Sequence, residues 1–309
     1  MPNDNSLPHV YQRTVSADDR HDSLSVISNL IKPGQTVLDL GMGVGGLGQY
    51  LSQQFEVLAD GVTLNQAEAD IASQWYRQTR VADLDSANLS ELFDGQRYDC
   101  IVCADVLEHL KAPQNLLAQC KNLLEPGGRL LTSVPNAGYC GLVAELIQGE
   151  FRYRPEGLLD STHLRFFTRA SLLRFFAENG WAVQATQVTQ RSLPTSEFKV
   201  AFDSLPPMLA RHLLAMPDAQ TYQFISVVQP SGSGSTALPA PDQTEAATAP
   251  PPQPAEALFS AEVYLARQGR FDESDKLVAT GVIGNPRQNL VFDIPASEVA
   301  YTSIRLDPA

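Results

Sequence analysis

From residue 24 to residue 230 the chain alternates between two spacings of apolar residues. "LSVISNLI" (24–31) puts its apolar residues on one helical face and stops at Lys32-Pro33-Gly34, a turn signal. "TVLDLG" (36–41), "FEVLADGVTL" (55–64), "TRVADLD" (79–85) and "YDCIVCAD" (98–105) read as the first four strands. The nearly unbroken apolar run of the fourth suits a parallel strand covered on both faces. "PQNLLAQCKNLL" (113–124) carries apolar residues at 116, 117, 120, 123 and 124, a helical stripe with Pro113 near its first turn. "GRLLTSVPN" (128–136) is a fifth strand, and "TRASLLRFFAENGW" (168–181) a helix with Thr168 as N-cap and Gly180 as its stop. "WAVQATQVTQ" (181–190) and "TYQFISVVQP" (221–230) supply the last two strands. The pattern predicts a doubly wound α/β domain with seven strands and interleaved helices.

Composition divides the rest. Residues 1–230 form the α/β domain, and 231–255 hold neither an aromatic nor a basic residue and read as a solvated Ser/Pro/Ala linker. Residues 256–309 regain apolar residues, with strand-like runs at 289–294 and 299–306. About fifty residues are marginal for an independent core. The net charge of −13 repels phosphate backbones, so no nucleic acid is expected as a partner. No stretch approaches the roughly 18–20 apolar residues of a membrane span, and a cytoplasmic protein is the expectation. Cys100 and Cys103 look like half a zinc site, but residues three apart on a strand face opposite sides of the sheet. They are expected to be buried small apolar residues.

Candidate chemistry begins at "VLDLGMGVGGLG" (37–48), whose glycines fit the dinucleotide spacing G-x-G-x-x-G in two registers. Such turns serve several nucleotide-bearing cofactors, so the glycines alone do not choose. Asp39 either caps the turn or favours a cationic ligand, because a carboxylate two residues before Gly41 repels diphosphates. Asp60 lies about twenty residues further, where a ribose would meet an acid.

"VLDLGMGVGGLGQYL", "YDCIVCADVLEHL", "NLLEPGGRLLTSVPN" and "GLLDSTHLRFFTRASLLRFFAENGW" together resemble a class I S-adenosylmethionine (SAM)-dependent methyltransferase, more narrowly the methyltransferase-23-like branch. The resemblance covers about residues 22–190. It implies a Rossmann-like methyltransferase sheet of seven strands with the last antiparallel, and SAM as cofactor. Asp39, Gly41, Gly43 and Gly45 would contact the aminocarboxypropyl arm of SAM. Asp83 would bind the adenine amino group, Leu84 would offer its amide, and Asp105 would line the amino-acid end. The branch usually has an Asp where Thr63 stands in "GVTLN", so Asp60 is expected to take over the ribose.

Methyl transfer to an alcohol needs alignment and removal of the acceptor's proton. His163, oriented by Asp160, is the expected general base, and His109 in "DVLEHL" the other candidate. In some relatives an acid-x-x-Glu-His cluster binds a divalent metal, and Asp105, Glu108, His109 and His163 echo it. Many relatives with Glu-His-Leu carry no metal, so no metal site is assigned. Arg152 and Arg154, alternating with Phe151 and Tyr153, could clamp a phosphate. Residues 256–309 resemble the first half of a β-sandwich module of bacterial surface-polysaccharide proteins, which implies a fragment of a longer chain and a fused or neighbouring glycosyltransferase. The expected function is O-methylation of a surface-glycan sugar or its nucleotide- or lipid-linked precursor. The competing readings are an O-methyltransferase of a small quinone precursor or phenol, with or without a metal; a non-catalytic SAM-binding scaffold; and an NAD-dependent oxidoreductase, disfavoured by Asp39.

Overall fold

A computed structural model of the chain describes residues 15–55, 57–200, 204–232, 258–267, 270–282 and 301–308. The chain divides into two compact units, 1–240 and 241–309.

In the first unit the elements alternate as the apolar pattern predicts. They run α1 (Ser23–Ser28), β1 (Thr36–Leu40), α2 (Gly46–Gln54), β2 (Leu58–Thr63), α3 (Gln66–Ala72), β3 (Gln78–Val81), α4 (Leu89–Leu92) and β4 (Tyr98–Ala104). There follow α5 (Pro113–Leu123), β5 (Leu124–Pro135), α6 (Cys140–Ile147), α7 (Arg169–Glu178), β6 (Trp181–Gln190), α8 (Pro207–Ala215) and β7 (Thr221–Pro230). Thr168 caps α7: its hydroxyl accepts from Ser171 N, and Ser171 returns the bond to the cap. The seven strands lie in the order β3-β2-β1-β4-β5-β7-β6. β7 runs antiparallel to both β5 and β6, as the family resemblance implies. The order reverses between β1 and β4, the switch point where open α/β sheets place their ligands.

Each face of the sheet carries its own core. Leu38, Ile101 and Cys103 pack with Leu89, Leu116 and Phe176 on one face, while Val37, Cys100 and Val102 pack with Ile27, Leu47 and Ala72 on the other. Cys100 and Cys103 therefore point to opposite faces, and all four cysteines are buried free thiols. Burying each such leucine contributes about 1.5–3 kcal/mol, and both faces of the central parallel strands are covered by apolar residues apart from buried polar ones such as Asp39 and Asp60. Among the described residues no helix is long and apolar enough to cross a membrane.

In the second unit β8 (Leu258–Arg267), β9 (Arg270–Val282) and β10 (Tyr301–Pro308) form an antiparallel sheet in the order β10-β8-β9. β10 overlaps the run expected at 299–306, whereas the long β8–β9 hairpin was not apparent in the sequence. The run at 289–294 lies outside the described residues.

Candidate active site

β1 ends at Leu40, and the chain turns through Gly41–Gly45 into α2. The carbonyl of Val62 accepts from both Gly41 N and Met42 N at 2.9 Å, which straps the turn to the end of β2. The glycines divide between two duties. At Gly43, with φ +52°, no atom lies within 4 Å of where a Cβ would stand, so the backbone there is open to a ligand. At Gly48 a Cβ would stand 2.3 Å from the ring of Tyr76, at Gly61 3.1 Å, and at Gly45 2.9 Å from Ala72 and 3.1 Å from Tyr76. These three make a socket for a buried tyrosine. Gly45 does not line the cleft, and packing rather than a ligand accounts for it.

Tyr76 is the residue that sequence reasoning missed. Its hydroxyl donates to Asp39 Oδ2 at 2.5 Å and accepts from Gly48 N at 3.0 Å. Asp39 is only 3% exposed, and burial lifts its pKa to about 6 although the Tyr76 bond works against the rise.

Asp39, Gly41 and Gly43 line a cleft of about 800 Å³ at the switch point, together with Glu68, Asp105, Glu108, His109, Asp160 and His163. Asp105, at the end of β4, holds φ +53°, a left-handed conformation uncommon outside glycine. Ser133 Oγ and Gln223 Nε2 each donate to its Oδ1 at 2.7 Å, which fixes the carboxylate in the cleft. The carboxylates of Asp39, Glu68, Asp105, Glu108 and Asp160 around the cleft suit a sulfonium and an ammonium far better than a pyrophosphate. By that chemistry the residues fit SAM.

Asp60 does not join them. It is fully buried, with Arg77 Nε donating to Oδ1 at 3.0 Å and Tyr98 Oη donating to Oδ2 at 2.7 Å. The residue stands three positions before the end of β2, about 10 Å at the rise of a strand, and its carboxylate is committed to an internal ion pair. It cannot serve a ribose. Thr63, at the strand end, donates its hydroxyl to Glu68 Oε2. Asp83 and Leu84 stand outside the cleft lining: Asp83 is exposed and accepts from Asp85 N, and Leu84 packs on the core.

The cover of the cleft is residues 155–163, stitched to the end of β4. Leu164 N and Arg165 N both donate to the carbonyl of Glu108, at 2.7 and 2.9 Å. Thr162 Oγ1 donates to Asp160 Oδ1 at 2.6 Å and therefore accepts from His109 Nδ1–H at 3.0 Å. Asp160 thus reaches His109 through Thr162, and its backbone carbonyl accepts from His163 N at 3.0 Å. His163 Nδ1–H donates to the carbonyl of Leu158 at 3.1 Å. Its pKa is lowered, first by burial and then by the neighbouring His109, so the ring is neutral at neutral pH. Both imidazoles keep Nε2 as an acceptor, and the rings meet edge to face at 4.7 Å. Glu108, His109 and His163 each bring one ligand atom within 4.8 Å of the others, a donor set that suits a divalent cation.

The expected phosphate clamp is otherwise employed. Arg154 pairs with Glu145 and lies over the ring of Phe198 at 4.6 Å, and Arg152 pairs with Glu150 at 3.1 Å. Neither lines the cleft.

Comparison with known proteins meets this geometry. A family model described as a methyltransferase domain (Methyltransf_23) matches residues 11–186. A ubiquinone biosynthesis O-methyltransferase of Coxiella burnetii (strain RSA 331 / Henzerling II) is 30% identical over 151 residues, 48% of this chain and 63% of its own. Its namesake in Burkholderia pseudomallei (strain 1710b) is 28% identical over 153 residues, 48% of this chain and 65% of its own. The chain thus spans less than two thirds of the length of these curated relatives. The structure of magnesium protoporphyrin IX methyltransferase from Synechocystis PCC 6803 with bound SAH aligns over 67% of this chain and 79% of that one, with TM-score 0.43 and 20% identity. The family model's match over residues 11–186, which hold β1–β5 and most of the acid-lined cleft, shows that the chain belongs to the methyltransferase-23 family of class I SAM-dependent methyltransferases.

Proposed function

We propose that the protein O-methylates a hydroxyl of a small acceptor of the phenolic or quinone-precursor kind, with His163 as general base. The observation that carries this reading is the pair of buried-edge imidazoles whose Nδ1–H groups are tied down while Nε2 of each is left as an acceptor beside the cleft. The name of the ubiquinone-pathway relatives supports the acceptor class. Arg152 and Arg154, which pair with Glu150 and Glu145, lend the glycan acceptor no support at the cleft. Four buried free thiols are at home in the reducing cytoplasm, where the reading places the reaction.

When bound, SAM supplies an electrophilic methyl on a positively charged sulfur. Asp39 and Asp105 would hold its cationic amino-acid end. The open backbone at Gly43 would admit it, and the 155–163 cover would hold water away. His163 Nε2 would take the acceptor's proton as the new C–O bond forms. A metal-assisted version draws on one observation, the Glu108, His109 and His163 donors within 4.8 Å. A cation held by these three residues would acidify the acceptor hydroxyl.

The test incubates the protein with methyl-labelled SAM and three acceptor sets: dihydroxylated phenols, nucleotide-sugars and no acceptor. Label is expected on the phenols. His163→Ala is expected to keep SAH binding by calorimetry and lose about 10²–10⁴-fold in turnover. Label on the nucleotide-sugars alone would overturn the acceptor class, and equal loss of binding and turnover would overturn His163 as base. Abolition of turnover by a chelator, restored by Mg²⁺ or Mn²⁺, would favour the metal-assisted version.

A further inference from the structure

The place on this cleft where a ribose acid is expected raises a specific problem. Thr63 ends β2 in a buried position, and the nearest acid on the same strand, Asp60, is closed off by Arg77 and Tyr98. One carboxylate near this strand end does line the cleft. It belongs to Glu68 on α3, half-buried, and the Thr63 hydroxyl donates to its Oε2.

We propose that Glu68, held by the Thr63 hydroxyl, is the residue that accepts the ribose hydroxyls of the cofactor. The proposal rests on the reading that the cleft holds SAM. A carboxylate offers four acceptor lone pairs, and Thr63 uses one of them. Oε1 and the second lone pair of Oε2 are left to receive the adjacent 2′- and 3′-hydroxyls. Both partners stand where such a bond needs them. Thr63 follows directly on Val62, whose carbonyl straps Gly41 and Met42, so the carboxylate is fixed relative to the glycine turn rather than carried on a free side chain. Thr63 is thus a positioning residue: it replaces a missing acid by borrowing one five residues further along. Thr63 is therefore no sign of a lost cofactor site.

The experiment uses the full chain and reads calorimetric binding of SAH and of its 2′-deoxyribose analogue, without any turnover. Hydrogen bonds to a charged acceptor predict that the wild type binds SAH about 10- to 100-fold more tightly than the deoxy analogue. Glu68→Gln is expected to weaken SAH by a similar factor and to discriminate the two ligands about 2-fold or less. Thr63→Val is expected to weaken SAH several-fold, with Thr63→Ser restoring it. In the Glu68→Gln background, Thr63→Asp returns an acid to the strand end and is expected to recover both SAH affinity and discrimination. That recovery also shows that Glu68→Gln folds. Wild-type affinity for SAH in Glu68→Gln, with discrimination intact, would overturn the assignment while leaving SAM binding in place. No binding of SAH by the wild type would overturn the SAM reading and this proposal together.

Discussion

At Asp39 a carboxylate is buried to 3% exposure, and burial raises its pKa from the ordinary 3.8 to about 6. A group whose folded pKa lies above its unfolded one takes up a proton on folding between those two values. Its favourable contribution is therefore present at low pH and is lost as pH rises through about 6. Above that pH the ionised carboxylate costs the fold on the order of 3 kcal/mol, from about two units at 1.36 kcal/mol each. Asp39→Asn removes the charge and keeps an acceptor for the Tyr76 hydroxyl. Its thermal midpoint at pH 7.5 is expected to rise by several degrees, while SAH binding disappears. A midpoint at or below the wild type's would contradict the assignment of a buried charge. The same titration predicts that wild-type SAM affinity declines as pH falls through about 6. His163 shifts the opposite way, its pKa lowered by burial, so turnover at saturating SAM is expected to persist below the ordinary histidine range before it falls. A pH–rate limb at or above pH 6.5 would argue against His163 as base.

The glycine turn, as an element, answers to Tyr76 as much as to any ligand. Gly48→Ala would normally stabilise a helix by roughly 1 kcal/mol, yet here its Cβ would stand 2.3 Å from the tyrosine ring. The expected result in urea unfolding is a loss of about 1–3 kcal/mol, and a double mutant with Tyr76→Leu that is less destabilised than the sum of the two. Simple additivity would refute the socket. The turn also shows what the sequence can and cannot convey. β4 was legible because a strand buried on both faces reads as a nearly unbroken apolar run, and α5 because its stripe repeats at helical spacing. Gly45 was misread because glycine spacing does not say whether the space freed holds a ligand or a ring. Asp60 was misread because distance along a chain does not say how far from the strand end a side chain falls. The link from Asp160 to His109 was not foreseen, since the cover folds Thr162 toward the end of β4. The β8–β9 hairpin was hidden by "FDESDK" within β9, a charged stretch of low β-propensity.

For the whole molecule, every strand of the seven-stranded sheet and both of its core faces come from residues before 233. A chain ending at residue 232 is therefore expected to unfold cooperatively at the full chain's midpoint and to keep its SAH affinity. A midpoint lowered by many degrees would show that the second unit supports the first. The net charge of −13 sets the long-range field, and the carboxylates lining the switch point, Asp39, Glu68, Asp105, Glu108 and Asp160 among them, concentrate it in the cleft. The central claim is that this cleft receives a cationic methyl donor. Its most direct test is calorimetric titration of the full chain at pH 7.5 with SAM, with NADH as comparator. Saturable one-site binding of SAM is expected, abolished in Asp39→Asn, with no heat from NADH. Saturable binding of NADH and none of SAM would contradict it.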